Sequence, residues 1–169
     1  MNAGTTEVRA LEAADLPGLL QVQLACYGAD FAESGEVFAR RLASRANCSL
    51  VLSQAGQVRA YLAAYRSLRA KVTPLHGDFE AVAGADTLYL HDMAVHPDAA
   101  GQGLAQVLIA ALWDMARAQG LRHTALVSVQ GSSGFWARHG YAVQELVDPL
   151  QCRHLRGYGE DAVYMARAL

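Results

Sequence analysis

The sequence of 169 residues lacks several features that would place it in a specialised class of protein. Its three cysteines are widely spaced and form no C-x-x-C pair, which argues against a disulfide framework and favours free thiols in a reducing compartment. No apolar run approaches the roughly 20 residues that a membrane-spanning helix requires. No basic segment followed by an apolar one opens the chain, so we expect no signal peptide, no membrane partner and a cytoplasmic protein.

An excess of charge of one sign is also missing. The 14 Lys and Arg residues against 16 Asp and Glu give a formal net charge of −2, without the basic footprint of a nucleic-acid-binding protein. The six histidines show no metal-ligand spacing, so we expect no metal. What remains is an ordinary composition with 53% hydrophobic residues, which predicts one domain over residues 1–169.

Apolar periodicity and turn residues predict the element order β-α-α-β-β-β-α-β-α-β-β. The predicted strands cover residues 7–11, 48–53, 57–66, 87–95, 123–129, 141–145 and 162–166, and the predicted helices cover 15–27, 34–44, 104–119 and 132–138. The strand at 87–95 is mostly apolar and should be central, and residues 67–86 should form a long connection near the ligand. The predicted fold class is α+β, with a mixed central sheet flanked by helices in an α/β sandwich.

The most informative segment is the turn Gly101-Gln102-Gly103, which joins the predicted central strand to a long amphipathic helix. Free backbone N–H groups and the helix dipole make such a turn an anion site, here for a pyrophosphate. A dinucleotide-binding fingerprint would need a third glycine and an acidic residue about 20 positions later, and both are missing. A Walker loop would need a lysine directly after Gly103.

The arrangement resembles the GNAT acetyltransferase superfamily, whose pattern is Gln/Arg-x-x-Gly-x-Gly/Ala after a strand. Its counterpart runs from Ala100 to Ala105, with Ala100 in place of the usual Arg or Gln. FWARHGY, which ends at Tyr141, is similar to the family's F-Y-x-x-x-G-F, and residues 162–165 are similar to its final strand. The alternative interpretation is a purely structural turn between a core strand and a core helix.

The resemblance implies that acetyl-CoA binds along the central strand and the glycine turn. The backbone N–H of Met93 should face the thioester oxygen, Val95 should pair with the pantetheine amide, and Trp136 should pack beside the CoA arm. Backbone N–H groups of the turn should hold the pyrophosphate. The predicted cofactor-binding residues are Met93, Ala94, Val95, Ala100, Gly101, Gln102, Gly103, Leu104, Ala105 and Trp136.

His91 is the candidate general base, because a histidine titrates near working pH. The run from Tyr89 to His96 resembles the arylalkylamine N-acetyltransferases, with His91 at the second of their paired histidines and Tyr89 replacing the first. Strand alternation predicts that His91 shares a face with Met93, whose N–H would stabilise the oxyanion, and that Asp92 points to the other face. The alternative for His91 is a partly buried structural histidine.

The general acid is not evident, because the family's tyrosine position holds Trp136, whose indole cannot supply a proton. Tyr141 is the candidate substitute, with Tyr164 and Ser132 as alternatives, although core packing is a competing role for Tyr141. The predicted acceptor-binding residues are Tyr27, Phe31, Glu33 and Tyr89. Glu33 could hold an ammonium ion or could be solvated.

The function expected from this resemblance is an acetyl-CoA-dependent N-acetyltransferase acting on a small-molecule, peptide or protein amine within a ternary complex. Dimers are common in the family, so a homodimer is among the expected states. Ala100 and Trp136 motivate an alternative, a non-catalytic acyl-CoA-binding or regulatory module. A nucleotide-dependent oxidoreductase is a third interpretation, and it predicts NAD binding.

Overall fold

A computed structural model describes residues 4–28 and 31–169 as a seven-stranded mixed sheet flanked by helices. The strands are β1 (Thr6–Ala10), β2 (Leu50–Gln54), β3 (Gln57–Ser67), β4 (Thr87–Val95), β5 (His123–Ser128), β6 (Ala142–Val143) and β7 (Val163–Ala168). The helices are α1 (Leu16–Tyr27), α2 (Gly35–Leu42), α3 (Leu104–Ala118), α4 (Ser133–Arg138) and α5 (Pro149–Arg156). The one-domain prediction also includes residues 1–3 and 29–30, which lie outside the described residues.

The sheet has the order β1-β2-β3-β4-β5-β7-β6, so β4 is central, as its apolar sequence predicts. Only the β4–β5 pair is parallel in the described sheet, and all other neighbours are antiparallel. Apolar residues of α3 pack on one face of the sheet, among them Leu108 and Leu112. Residues of α1 and α2, among them Leu19 and Phe38, pack on the other face. The predicted α+β fold with helices on both sides of a mixed sheet is confirmed.

Local sequence signals account for most of the helix boundaries. Pro17 lies in the first turn of α1, where its missing N–H leaves no helical hydrogen bond unmade. The Ser34 hydroxyl accepts a hydrogen bond from the Val37 N–H at 3.3 Å and caps α2. The predicted element order is wrong in omitting α5. Asp148 caps this helix, and Pro149 occupies its first turn. The last but one strand is also shorter than predicted, since β6 ends at Val143 instead of continuing to residue 145.

The central strand is irregular where the sheet opens. The β4–β5 pairing runs from Thr87 to Leu90 on β4 and stops there. Opposite β3 the register also shifts, since Ala63 faces Asp92 while Ala64 faces Leu90. His91 is therefore the additional residue of a β-bulge, which interrupts the alternation of faces.

The bulge overturns one sequence-based expectation. His91 contacts Arg41 of α2, and Asp92 contacts Tyr61, whose ring belongs to the core on the α1–α2 side. Met93 packs instead against the core on the α3 side. The prediction that His91 shares a face with Met93, opposite Asp92, is wrong because it assumed a strand without a bulge.

Within the described part of the chain, no helix combines the length and the apolar character that a bilayer crossing requires.

Candidate active site

A cleft opens at the point where β4 and β5 separate. Six parts of the chain line it: the end of α1 and the following loop, β3, the middle of β4, the segment from the end of β5 into α4, the 68–86 connection, and the segment just after α5. Its lining includes Tyr27, Phe31, Glu33, Leu75, His91, Asp92, Met93, Val129, Ser132, Trp136 and Tyr158. Among the described residues that line the cleft there is no lysine or arginine, so its only formal charges are carboxylates and a titratable histidine.

The open edge of β4 presents backbone groups to this cleft. The Tyr27 hydroxyl donates to the Met93 carbonyl, and the Cys26 thiol donates to the Val95 carbonyl at 3.0 Å. The backbone groups of the residues that alternate with these two point toward β3 instead. His96 shows this, because its N–H donates to the Arg59 carbonyl at 2.8 Å. In an antiparallel ladder the N–H and C=O of one residue point to the same side. The N–H groups of Met93 and Val95 therefore face the edge that β5 leaves open.

The glycine turn continues from this edge into α3. Gly101 and Gly103 have φ values of +81° and +72°, a left-handed conformation that glycine adopts without steric cost. Gly103 is the N-cap of α3, so the first N–H groups of the helix have no carbonyl partner within it. A surface groove lined by Val95 and by residues of the turn connects the two features. An anionic group fits this position because it would meet free N–H donors and the positive end of a 15-residue helix.

Three charged or titratable side chains form a buried cluster beside the cleft. Arg41 donates two hydrogen bonds to the Glu33 carboxylate, from Nη1 to Oε1 at 2.7 Å and from Nη2 to Oε2 at 2.6 Å. The Nε2 atom of His91 lies 3.0 Å from Oε1 and 3.2 Å from Oε2 of the same carboxylate. Each of the three side chains is 2% exposed. The expectation that Glu33 is solvated is wrong, and its role in holding an ammonium ion stays a prediction.

Backbone contacts hold this cluster in place. The Gln23 side chain donates to the Glu33 carbonyl at 2.8 Å and accepts from the Glu33 N–H at 3.0 Å. The His76 N–H donates to the carboxylate at 2.7 Å, and Arg41 Nε donates to the Gly77 carbonyl at 3.0 Å. Burial by itself would raise the pKa of Glu33, but the hydrogen bonds from Arg41 and His91 outweigh it and hold that pKa well below its usual range. Glu33 is therefore an ionised carboxylate whose charge is matched within the protein.

Asp92 is the second carboxylate of the cleft, and it has a different environment. The Tyr61 hydroxyl donates to its Oδ2 at 2.6 Å, and no ion pair involves it among the described residues. Burial raises the pKa of Asp92 and outweighs the hydrogen bond from Tyr61, which acts in the opposite direction. The same burial raises the pKa of Tyr27. Asp92 is thus a carboxylate with hydroxyl partners and without a cationic one.

The structure separates the predicted proton donors and aromatic residues into two groups. Ser132 and Trp136 line the cleft, with the Ser132 hydroxyl 2.8 Å from that of Ser128. Tyr141 is buried outside the cleft lining, where its hydroxyl accepts from Trp113 Nε1 at 3.1 Å and lies 2.9 Å from the Thr124 hydroxyl. Tyr141 therefore packs in the core and does not belong to the described lining of the cleft.

Tyr89 and Tyr164 are likewise buried in the core. Tyr89 packs against Tyr65, and the Tyr164 hydroxyl accepts from the Ala70 N–H at 2.9 Å. Neither residue belongs to the described lining of the cleft. The contribution of Tyr89 to acceptor binding therefore stays a prediction without a contact to support it.

Two residues of the site were not found by sequence reasoning, one beside the cleft and one in its lining. Arg41 was overlooked although it follows Val37 and Phe38 at helical spacing and so lies on the apolar face of α2. Tyr158 was overlooked because the helix that precedes it was not predicted. Its hydroxyl donates to the Thr73 carbonyl at 2.5 Å, and its ring centroid lies 6.5 Å from that of His91.

Among the described residues, no group of three or more His, Cys, Asp or Glu side chains could hold a metal ion.

The sequence model of the acetyltransferase (GNAT) family matches residues 16–141, which includes β4, the glycine turn and α3. No curated protein matches the sequence.

Solved structures with the same fold span nearly the whole chain. The ribosomal-protein-S18-alanine N-acetyltransferase from Escherichia coli has a TM-score of 0.72 and 19% identity, over 97% of this chain and 94% of that one. A GNAT family acetyltransferase from Brucella melitensis in complex with acetyl-CoA has a TM-score of 0.64 and 20% identity, over 98% and 89%. The GNAT-like decarboxylase GphF in complex with isobutyryl-CoA has a TM-score of 0.76 and 18% identity, over 96% and 98%. At these identities the likeness establishes the fold alone.

Proposed function

The chain belongs to the acetyltransferase (GNAT) family, and from that premise we propose that it is an N-acetyltransferase that uses acetyl-CoA and an amine acceptor in a ternary complex. One observation carries the proposal. The open edge of β4 leads at its C-terminal end to the glycine turn and at its N-terminal end to the buried His91. A donor binding site and a proton acceptor thus lie along a single strand.

The donor is held by backbone groups. Bound acetyl-CoA supplies a thioester, whose acetyl group can pass to a nucleophile. The N–H groups of Met93 and Val95 face the open edge, where they can pair with the acyl oxygen and with an amide of the CoA arm. The free N–H groups at the start of α3 bind the pyrophosphate, and Trp136 in the cleft lining packs beside the arm.

The acceptor must lose a proton, because the conjugate acid of an alkylamine has a pKa near ~10 and only the neutral amine attacks. His91 takes this proton, directly or through water. Its Nδ1 atom is buried and has no hydrogen-bond partner among the described residues. Met93 N–H is a fixed donor on the open edge, so it can stabilise negative charge that develops on the acyl oxygen.

A protein-derived general acid is not needed in this proposal. The two tyrosine hydroxyls of the cleft, those of Tyr27 and Tyr158, both donate to backbone carbonyls. A thiol of pKa near ~8.5 is a competent leaving group as its thiolate. We therefore assign no acid role to Tyr141.

Thermal unfolding with acetyl-CoA, CoA and NAD tests the binding part of the proposal. A ligand at 100 times its Kd that binds the folded state alone adds about 2.7 kcal/mol of stability. We expect a shift with both CoA species and none with NAD. Absence of a shift with acetyl-CoA would overturn the proposal.

Release of free CoA in the presence of a panel of amines then tests catalysis. His91→Gln should bind acetyl-CoA like the wild type and release CoA about 100-fold more slowly, with His123→Gln at the far end of β5 as the matched control. A protein that binds acetyl-CoA but turns over no amine would instead be the non-catalytic acyl-CoA-binding module.

A further inference from the structure

We propose that Glu33 is a positioning residue that holds His91 in the tautomer with its proton on Nε2, so that Nδ1 is the atom that accepts the amine proton. This inference rests on the proposed function, because it presumes that His91 is the proton acceptor. It adds which nitrogen acts and which residue selects it.

The contacts of Nε2 select the tautomer. This atom lies within 3.2 Å of both oxygens of the Glu33 carboxylate, and an ionised carboxylate only accepts hydrogen bonds. A proton on Nε2 turns these contacts into a charge-assisted hydrogen bond. A lone pair on Nε2 would instead point at two negatively charged oxygens.

Among the described residues that contact Nε2, only Arg41 would favour the opposite tautomer. Its Nη2 atom lies 3.1 Å from Nε2 and could donate to a lone pair there. The same Nη2 already donates to Glu33 at 2.6 Å, and Nη1 donates to the other carboxylate oxygen at 2.7 Å. The contact with His91 is longer than either, so the guanidinium is primarily the partner of Glu33.

The buried Nδ1 atom decides between the two tautomers. It has no partner among the described residues, so it carries either an unpaired lone pair or an unpaired N–H. Buried N–H groups without a partner are rarer in folded proteins than buried acceptors without one. Both the Nε2 contacts and the Nδ1 environment therefore place the proton on Nε2.

The proton transfer then has a defined course. The Nδ1 lone pair forms a bond to a proton of the substrate ammonium, the ammonium N–H bond breaks, and its electron pair stays on the amine nitrogen. The Nε2–H bond remains intact and hydrogen-bonded to Glu33. The imidazolium that results lies against a carboxylate that the hydrogen bonds from Arg41 keep in place and ionised.

Imidazole ¹⁵N NMR of the histidine-labelled protein tests the tautomer directly, and the chain supplies its own standards. His139 and His154 must carry the proton on Nδ1, since this atom lies 2.9 Å from the carbonyls of Phe135 and Val72. His96 Nδ1 accepts from the Asp98 N–H at 3.1 Å, so neutral His96 carries its proton on Nε2. We expect neutral His91 to share the pattern of His96.

An Nδ1–H pattern at His91 would overturn the proposal. A ring that stays doubly protonated at every pH where the enzyme is active would also overturn it, because no lone pair would be available. The expected tautomer in a protein that acetylates no amine would show instead that the proposed function is wrong while the geometry stands.

Variants at Glu33 test whether the tautomer matters for catalysis. Glu33→Gln leaves the Arg41 charge buried and unpaired. We therefore pair it with the double variant Glu33→Gln/Arg41→Met, which removes both charges at similar volume. We expect the folded variants to keep the acetyl-CoA-induced shift, to lose the Nε2–H preference at His91, and to lose about 100-fold in kcat. Glu33→Asp keeps the carboxylate and should retain the tautomer. A folded double variant with wild-type kcat and a changed tautomer would refute the positioning role.

Discussion

The donor-binding half and the acceptor-binding half of the candidate site differ in the groups that form them. The donor half consists of backbone groups from one continuous segment, the open edge of β4 and the turn that begins α3. The acceptor half consists of side chains that come together from distant positions, with Glu33 and Arg41 eight residues apart and His91 fifty residues beyond Arg41. The first half can be recognised from local sequence, whereas the second exists only once the chain has folded.

This difference also determines how each half responds to substitution. A backbone N–H donor is the same whatever side chain the residue carries, so the turn retains its donors although Ala100 replaces the usual Arg or Gln. The buried cluster has no such tolerance, because each member compensates the charge or the hydrogen-bonding capacity of another.

The largest effect is expected from breaking the acceptor half at its ion pair. Arg41→Met leaves the Glu33 carboxylate buried and unpaired, which should lower the free energy of unfolding by about 3–5 kcal/mol. The matched control is Arg40→Met, since Arg40 pairs with Asp78 at 2.9 Å but the two side chains are 52% and 61% exposed. That exposed pair should contribute only about 0–1 kcal/mol.

Urea unfolding measures both arginine variants under the same conditions. Equal losses of stability would contradict the contrast between a buried and an exposed pair, and with it the view that the cluster is held by mutual compensation.

The next effect is expected in the donor half. Gly103→Ala forces a side chain into a left-handed conformation and should lower the free energy of unfolding by about 1–2 kcal/mol, and it should weaken acetyl-CoA binding as well. Gly84 has a similar φ of +68° in the connection that precedes β4, so Gly84→Ala should cost a similar amount without changing the affinity. Calorimetric titration with acetyl-CoA separates the two. Unchanged affinity in Gly103→Ala would remove the turn from the donor site.

A smaller effect distinguishes the two carboxylates of the acceptor half. Burial raises the pKa of Asp92, so the folded state binds its proton more tightly than the unfolded state does. The charged form therefore destabilises the fold, and the destabilisation grows as the pH rises above the ordinary value of 3.8. Asp92→Asn should be more stable by about 1 kcal/mol at neutral pH and by nothing at lower pH.

The pH series of unfolding free energies checks the sign of this prediction. The exposed Asp114, which is 81% accessible on α3, provides Asp114→Asn as a control without a comparable pH dependence. A loss of stability in Asp92→Asn at neutral pH would mean that Asp92 has a favourable charge partner.

The smallest effect would sharpen the comparison by adding a side chain to the donor half. Ala100→Arg places a cation beside the exposed turn. Because an exposed charge pair contributes little, the substitution should tighten acetyl-CoA binding by at most about 1 kcal/mol, or fivefold. The gain should shrink as salt rises, since exposed charges are screened. Ala110→Arg, at an exposed position further along α3, is the matched control. An equal gain in both variants would assign the effect to net charge.

Sequence reasoning succeeded where a short segment determines its own conformation. The strand at Thr87–Val95 appears as predicted, and so do the two helices near the N-terminus, where Pro17 and the Ser34 cap mark the first turns. The helix after Asp148 was missed although its cap and proline were present, because the surrounding residues have no clear apolar periodicity. Its omission also concealed Tyr158, which lines the cleft.

The sequence by itself determined the type and order of most elements, the glycine turn at Gly101 and Gly103, and the family. These depend on side-chain periodicity and backbone preference, which act over a few residues. Only the tertiary structure decided that a bulge turns His91 toward Arg41, that Glu33 is neutralised within the protein, and that Tyr141 lies in the core. Those outcomes depend on a register shift and on contacts between residues far apart in the chain, for which no local pattern carries a signal.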